Sequence, residues 1–411
     1  MILGDDMMVK KRLIFHVDVN NAFLSWTAVD LIRRGNKQDI RKIPSIIGGD
    51  EKARHGIVLA KSPVAKKYGV ITAETIYSAR KKCPNLKVFP PDYNLYKRQS
   101  NLLYRYLSNY TPVIEQYSVD ECFLDMTGTS LLYKEPLELA YKIKDDIKNL
   151  YGFTVNVGIG NNKLCAKMAS DFEKPDKVHT LFNEEIEKKL WPLPVEDLFM
   201  VGRKSTPLLK QLNINTIGDL AKTDLYLLKK YFKSQGILMK EYANGVDNSE
   251  LETNRNKNKC ISVSRTFPKD IEDEEELKKI LFSQADEVSS ELRRQHQYAK
   301  TVAVTYKNSE FITYSHQMKL YNQTNVTTEI YKAVENLFDR SWKGDSIRNI
   351  GIRLSDLVTV KEKQLSLFET EVESNNDKIQ EVLDKINDKY GRKSIVTANS
   401  LENLNNKKDT E

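Results

Sequence analysis

Cysteine is scarce in this chain, and its distribution excludes a disulfide-stapled fold. The four cysteines are widely separated along 411 residues, with no paired spacing. They are Cys83, Cys122, Cys165 and Cys260. We therefore expect neither a disulfide framework nor a cysteine-based zinc site, and the pattern fits a reducing compartment such as the cytoplasm.

Long apolar runs are also missing. No stretch of 18 consecutive apolar residues occurs, so we expect no transmembrane helix and no membrane association. The first twelve residues contain acids and bases without an apolar signal segment, and Met7 and Met8 are alternative start residues. No internal repeat or low-complexity run is evident, and the length suggests two to four domains with ample core.

The charge balance favours neither sign strongly. Lys and Arg together number 64 against 57 Asp and Glu, which gives a formal net charge of +7. This excess gives modest support for a polyanionic partner. Many globular proteins are equally basic, so charge alone assigns no function.

The most informative stretch is residues 117–125, YSVDECFLD, which places two adjacent carboxylates, Asp120 and Glu121, between β-forming apolar runs. This pattern predicts a strand-turn-strand hairpin with the acids at its tip, where a tight turn lets both carboxylates converge. Residues 13–20, LIFHVDVN, predict another strand with Asp18 near its end. Three carboxylates from two strands could bind a pair of hard cations, which suits in-line phosphoryl transfer. On these residues alone, a solvated surface turn is the commoner explanation of an Asp-Glu pair.

The full sequences of these two segments favour a functional site over a solvated turn. Residues 17–23, VDVNNAF, together with YSVDE at 117–121, closely resemble the Y-family, or translesion, DNA polymerases. The resemblance runs from about Arg12 to Phe368. It implies an α+β multidomain, right-hand polymerase with a palm, small fingers, a helical thumb and a β-α-β-β-α-β little-finger domain. The alternating strands and helices also predict an α+β palm, with a mixed sheet covered by helices on one face.

The resemblance also implies the domain boundaries. We expect a catalytic palm at 12–22 and 90–182, fingers at 23–89, a thumb at 183–246, a linker at 247–259, a little finger at 260–360, and a clamp-binding peptide and tail at 361–411.

Within the expected thumb, residues 201–214 resemble a helix-hairpin-helix DNA-binding element. In such an element a glycine turn precedes a helix N-terminus, whose backbone amides can hold a phosphate. Met200 stands where many such proteins have a second glycine. Phosphate binding and plain helix packing therefore stay equally open.

The resemblance assigns the carboxylates a catalytic role. It implies that Asp18, Asp120 and Glu121 bind two Mg²⁺ ions, with the carbonyl of Val19 as a further ligand. The reaction would be attack of a primer 3′-hydroxyl on the α-phosphate of a deoxynucleoside triphosphate. Positioning and charge neutralisation would carry most of the catalysis.

The nucleotide pocket is also implied. Phe23 aligns with the family's steric gate, an aromatic ring that would clash with a 2′-hydroxyl. From pattern alone it would more often be a core aromatic on a helix face. Asn21 and Ala22 would offer backbone amides to the β- and γ-phosphates, and Lys174 matches a lysine that contacts the triphosphate.

The expected fingers depart from the family pattern. Many relatives hold the triphosphate with a Tyr and an Arg, where this chain has Pro63 and Lys66. Lys66 supplies charge but not a bidentate fork. Ser62 or Lys61 would be available to compensate.

Two kinds of partner follow from the resemblance. Residues 364–368, QLSLF, resemble the peptide by which bacterial polymerases bind the sliding clamp. Leu367 and Phe368 would be pocket anchors beside Leu365, with Gln364 hydrogen-bonded at the edge. Primer-template DNA would be held mainly through its phosphates. Basic candidates for those contacts are Lys259, Arg265, Lys300, Lys307, Arg348 and Arg353.

We therefore interpret the chain as a cytoplasmic, monomeric DNA-directed DNA polymerase that bypasses template lesions with low fidelity and low processivity. Three alternatives remain. The first is a mutasome component that needs accessory proteins, which the sequence does not distinguish from a polymerase that acts alone. Retention of all three carboxylates argues against a non-catalytic DNA- and clamp-binding factor. The third is a nucleotide cyclase, since the GGDE at 48–51 resembles the start of the diguanylate cyclase signature. Lys52 stands where that signature has a phenylalanine, and we interpret the stretch as a turn in the fingers.

Overall fold

The computed structural model describes residues 12–50, 56–129, 131–253 and 259–359, with a few further positions between 382 and 394. The clamp-like peptide at 364–368 lies outside the described residues. The described chain forms two compact units, the first comprising 12–49 and 56–253 and the second 259–359.

The first unit is built from eight strands and ten α-helices among the described residues. The strands are β1 Ile14–Val19, β2 Ser45–Gly48, β3 Val58–Lys61, β4 Lys87–Phe89, β5 Ile114–Gln116, β6 Glu121–Asp125, β7 Val155–Gly160 and β8 Val178–Leu181. The helices are α1 Ala22–Arg33, α2 Pro63–Lys67, α3 Ile76–Lys82, α4 Tyr93–Leu107, α5 Pro136–Tyr151, α6 Lys163–Asp171, α7 Thr206–Gln211, α8 Ile217–Lys222, α9 Leu225–Phe232 and α10 Ser234–Ala243.

The central sheet of this unit has the strand order β5-β6-β1-β7-β8. All neighbours are antiparallel except β7 and β8, which are parallel. The predicted hairpin is β5–β6, with its turn at 117–120. Along β1, Phe15 and Val17 face a core formed with α1, α4 and α5, as the period-two alternation of a strand requires. Strand β8 was not predicted from the sequence.

Helix α6 packs against the opposite face of this sheet, so the prediction of helices on one face only is wrong. Two glycines of β7 allow the close approach. A Cβ on Gly158 would lie 1.9 Å from the carbonyl oxygen of Ala166, and one on Gly160 would lie 2.6 Å from Cys165 Cβ. A side chain at either glycine would therefore push α6 away from the strand.

A smaller sheet, ordered β3-β2-β4, lies with α2 and α3 around a separate core that includes Ile46, Val58, Ala65 and Ile76. Residues 183–243 are helical in short pieces around another core, as predicted.

The segment after α10 is irregular and is attached to the sheet side of the unit. Asn162 Nδ2 donates to Gly245 O at 2.7 Å, and Glu252 N donates to Glu115 Oε2 at 2.9 Å. Leu251 packs against the cluster that contains Ile14. The chain up to 253 is therefore held by specific contacts.

The second unit contains β9 Cys260–Ile271, α11 Glu274–Arg294, β10 Ala299–Asn308, β11 Thr313–Thr324, α12 Thr327–Ser341 and β12 Ile347–Ser355. Its antiparallel sheet is ordered β11-β10-β12-β9, and both helices share one core with it. The predicted β-α-β-β-α-β order and the α+β multidomain fold class are confirmed. No helix in the described part of the chain is both long and apolar enough to cross a membrane.

We predict that Gly158→Ala destabilises the first unit severely, because the new Cβ would overlap backbone atoms of α6 that have no room to retreat. The free energy of unfolding should fall by more than about 3 kcal/mol, measured by denaturant titration.

Gly128→Ala is the matched control, since among the described residues nothing lies within 4 Å of its Cβ position. It should change stability by less than about 0.5 kcal/mol. Similar melting temperatures for the two variants would contradict the close α6 contact.

Candidate active site

The pairing of β1 with β6 brings the predicted carboxylates together. Asp18 lies directly opposite Glu121 in the antiparallel register. Asp120 occupies the turn before β6, where its carbonyl accepts a hydrogen bond from Val19 N at 3.1 Å. The side chains of Asp18 and Glu121 project to the α6 face, because they alternate with core residues such as Val17.

Asp18 is almost fully buried, with 6% of its surface exposed. Burial raises the pKa of Asp18 to about 6, and the nearby charges of Glu121 and Asp120 add to this, while Lys174 opposes it. The ammonium group of Lys174 contacts the Asp18 carboxylate directly and also lies 2.8 Å from Asp171 Oδ1. The site is therefore one in which negative charge is costly and a cation is stabilising.

The other two carboxylates are held by neighbouring side chains. Ser118 Oγ donates to Asp120 Oδ1 at 2.7 Å. Burial and the charge of Glu121 raise the pKa of Asp120. Lys167 Nζ lies 2.6 Å from Glu121 Oε1. Each carboxylate thus has a partner that restricts its orientation.

The donor set fits a hard divalent cation, since carboxylate and carbonyl oxygens are the ligands such ions prefer. The described residues contain no group of three or more His, Cys, Asp or Glu side chains arranged as a ready metal site. Lys174 and Lys167 contact Asp18 and Glu121 instead. The expected two-ion site therefore stays a prediction.

Sequence reasoning missed two lysines and a glutamate that complete this face. Lys163, one turn before Lys167 on α6, lies 2.7 Å from Glu115 Oε2 in a largely buried ion pair. Its ammonium is also 5.2 Å from the ring centre of Phe123. The available signal was the four-residue spacing of Lys163 and Lys167, which places both on one helix face.

An open cleft of about 530 Å³ lies beside the acidic turn. Its lining combines Phe23, aromatic and polar side chains of α4, and the turn of the β5–β6 hairpin. These residues are Phe23, Tyr93, Tyr96, Lys97, Ser100, Asn101, Gln116, Tyr117, Ser118 and Val119. The structure therefore places Phe23 on the wall of a cleft that also includes Ser118 and Val119, the two residues before Asp120.

The start of α1 has an unusual backbone geometry. Asn21, its N-terminal flanking residue, has a left-handed φ of 53°. Its side-chain amide donates to Lys61 O at 2.6 Å instead of capping the helix. Because the amides of the first helical turn have no intrahelical acceptor, Ala22 and Phe23 begin a helix suited to anion binding.

The fingers candidates separate into different roles. Ser62 is buried and N-caps α2, with its hydroxyl accepting from Ala65 N at 3.0 Å and donating to Ile43 O at 2.7 Å. The hydroxyl of Ser62 is therefore already used in hydrogen bonds within the fold, and its predicted role in triphosphate binding has no support. Lys66 is exposed on α2, and Lys61 Nζ lies 3.4 Å from Thr72 Oγ1. The structure does not bring Lys66 into contact with the carboxylates within the described chain.

Two features of the expected DNA-binding regions are also visible. Met200 has a left-handed φ of 72° and is exposed, so it adopts the backbone conformation that glycine favours. In the second unit, Arg265 is paired with Glu287 at 3.1 Å and Arg348 with Asp270 at 3.3 Å. These two arginines already have acidic neighbours.

Two family models match this sequence. The impB/mucB/samB family matches residues 17–171, and the C-terminal domain of the impB/mucB/samB family matches residues 258–367. The first match contains Asp18, Asp120 and Glu121.

Curated relatives match over nearly the whole chain. A protein of Clostridium acetobutylicum named DNA polymerase IV is 47% identical, over 95% of this chain and 98% of the relative. Another of the same name, from Clostridium kluyveri, is 36% identical over 95% and 98%. DNA polymerase IV 2 of Bacillus subtilis is 34% identical over 96% of each chain.

A solved structure shares the fold. A Y-family DNA polymerase chimera superimposes with a TM-score of 0.73 over 85% of this chain and 100% of its own, at 21% identity.

Proposed function

The chain belongs to the Y-family of bacterial translesion DNA polymerases, and from this premise we propose that Asp18, Asp120 and Glu121 form its catalytic centre. It is a DNA-directed DNA polymerase. The observation that carries the site assignment is the direct pairing of Asp18 with Glu121, with Asp120 in the adjoining turn. The non-catalytic and cyclase alternatives have no support in these relatives.

Divalent metal ions, on which this family depends, would be held as two Mg²⁺ by these three carboxylates and the Val19 carbonyl. When bound, they would activate the attacking oxygen and neutralise charge on the phosphates. The chain's own contribution is preorganisation. Ser118 fixes Asp120 and Lys167 fixes Glu121, so these carboxylates need little rearrangement before the reaction.

The triphosphate would be held from the sheet side. Lys174 lies beside Asp18, where its charge would face the phosphates. The backbone amides of Asn21, which flanks α1, and of Ala22, its first residue, would provide hydrogen-bond donors at a helix N-terminus. Lys66 would add charge from the exposed face of α2. Together these groups would orient the α-phosphate toward the primer 3′-hydroxyl.

Phe23 would form the wall against the sugar. Its ring stacks on Tyr96 with centres 4.3 Å apart and planes within 8°. Tyr96 is itself buried, and its hydroxyl lies 3.2 Å from Thr27 Oγ1. This support would keep the Phe23 ring from yielding to a 2′-hydroxyl, which is the basis of a steric gate.

Removing either hairpin carboxylate should abolish nucleotide addition. Asp120→Ala and Glu121→Ala are each expected to lower kcat by at least about 10³-fold, since each removes charge stabilisation made in the transition state. Primer-template binding should change little, as measured by fluorescence anisotropy. Glu138→Ala, an exposed carboxylate on α5, is the control and should extend primers normally. Near wild-type extension by Asp120→Ala would remove the site assignment.

Truncating Phe23 should relax sugar selection. For Phe23→Ala, the ratio of kcat/KM for a deoxynucleotide to that for its ribonucleotide should fall by on the order of 10²-fold, because the steric penalty is lost. Phe23→Tyr keeps a ring stacked on Tyr96 and should retain most of the selectivity. An unchanged ratio in Phe23→Ala would show that another group guards the 2′ position.

The sliding clamp is the proposed protein partner, on the sequence of Gln364, Leu365, Leu367 and Phe368. Tethering would make rebinding to DNA intramolecular, at an effective concentration on the order of mM for a short linker. Leu367→Ala combined with Phe368→Ala should keep the clamp-free extension rate and lose stimulation by loaded clamp. Val372→Ala is the control for this region. Equal stimulation of wild type and double variant would exclude this peptide as the tether.

A further inference from the structure

Lys174 lies in the irregular segment 172–177, between α6 and β8. Its side chain has four flexible bonds, so its ammonium position depends on how firmly the backbone beside it is held. Two buried asparagines from other strands lie against this segment. Asn156 is the second residue of β7 and has no exposed surface, and Asn20 follows β1 with 8% exposed.

The two asparagines hold the segment on both sides of Lys174. Asn156 Nδ2 donates to Ser170 O at 2.9 Å and to Glu173 O at 2.7 Å, just before the lysine. Asn156 Oδ1 accepts from Lys177 N at 3.3 Å, after the lysine. Every donor and acceptor position of this amide is used, since Oδ1 also accepts from Asn20.

Asn20 completes the network. Its Nδ2 donates to Asn156 Oδ1 at 3.0 Å, and its Oδ1 accepts from Asp176 N at 2.9 Å. Asp176 is further fixed by Lys148 Nζ at 2.7 Å and Lys144 Nζ at 3.0 Å. Such a buried network resists rearrangement, because turning the fully bonded amide of Asn156 would leave buried groups unpaired.

We infer that Asn156 and Asn20 are positioning residues of the polymerase reaction, which hold the backbone around Lys174 so that its ammonium stays beside Asp18. This inference rests on the proposed contact of Lys174 with the triphosphate. Neither asparagine needs to touch the nucleotide. They affect nucleotide binding only by placing the lysine. A residue that merely supports the fold would act whether or not the lysine is present.

The test is a double-mutant cycle on steady-state kinetics of single-nucleotide insertion. Lys174→Ala should raise KM for the deoxynucleotide. Asn156→Leu, similar in size but unable to hydrogen-bond, should raise KM by on the order of tenfold while kcat changes less than about twofold. Adding Asn156→Leu to Lys174→Ala should raise KM no further, because a residue that acts through the lysine has nothing left to position.

Asn20→Ala is the second variant, since Asn156→Leu leaves backbone groups unpaired and could unfold the chain. It should raise KM in the same way and show the same non-additivity. The control is Asn162→Ala, which removes a buried asparagine that caps the other end of α6 through Cys165 N. It should lower the melting temperature without changing KM.

Each remaining outcome overturns the inference. Additive losses in the double variant, or a fall in kcat at unchanged KM, would show that the asparagines support Asp18 or the fold instead. If Asn162→Ala raises KM equally, the effect is general destabilisation. If Lys174→Ala leaves KM unchanged, the proposed triphosphate contact fails first, and the inference fails with it. If only the asparagine variants leave KM unchanged, the Lys174 contact stands and the inference alone is wrong.

Discussion

The close packing of α6 on β7 is the contact on which the whole acidic site depends. Gly158 and Gly160 let the helix backbone meet the strand directly. Because α6 lies this close to the sheet, Lys163 reaches Glu115 and Lys167 reaches Glu121. A helix held farther out by side chains of ordinary size would leave these acids buried without partners. The glycines therefore act on electrostatics as well as on packing.

The balance of charge on this face decides what the site can accept. Asp18, Asp120 and Glu121 are crowded together, and the charge of Glu121 adds to burial in raising the pKa of Asp18 and of Asp120. The lysines compensate only in part, because the pKa values of Asp18 and Asp120 are still raised. A site with this residual cost stabilises further positive charge. Divalent cations that arrive with a nucleotide would supply it.

The sequence predicts the carboxylates because their signal is local, whereas the groups that hold them come from distant positions. A hairpin tip and a strand end can be predicted from residue type and alternation. The family's sequence motif then assigns a chemical role to the carboxylates at these positions. The only sequence signal for Lys167 is its four-residue spacing from Lys163, and Asn156 has none, since their roles depend on which strand lies opposite which helix. Strand β8 was missed because four residues of mixed polarity give no clear period. Met200 shows the reverse case, in which the backbone keeps a glycine-like conformation without a glycine.

With Pro63 and Lys66 in the fingers, the proposed triphosphate site would depend more on groups beside the central sheet. Pro63 begins α2 in place of a hydroxyl-bearing aromatic, and Ser62 is fully occupied in capping that helix. Lys66 is exposed and flexible, so holding it in one position costs more entropy than holding a planar arginine fork. Lys174, by contrast, contacts Asp18 and Asp171. Because fewer fingers side chains would then contact the triphosphate, the backbone that presents Lys174 would matter more here than beside a tyrosine and an arginine in the fingers.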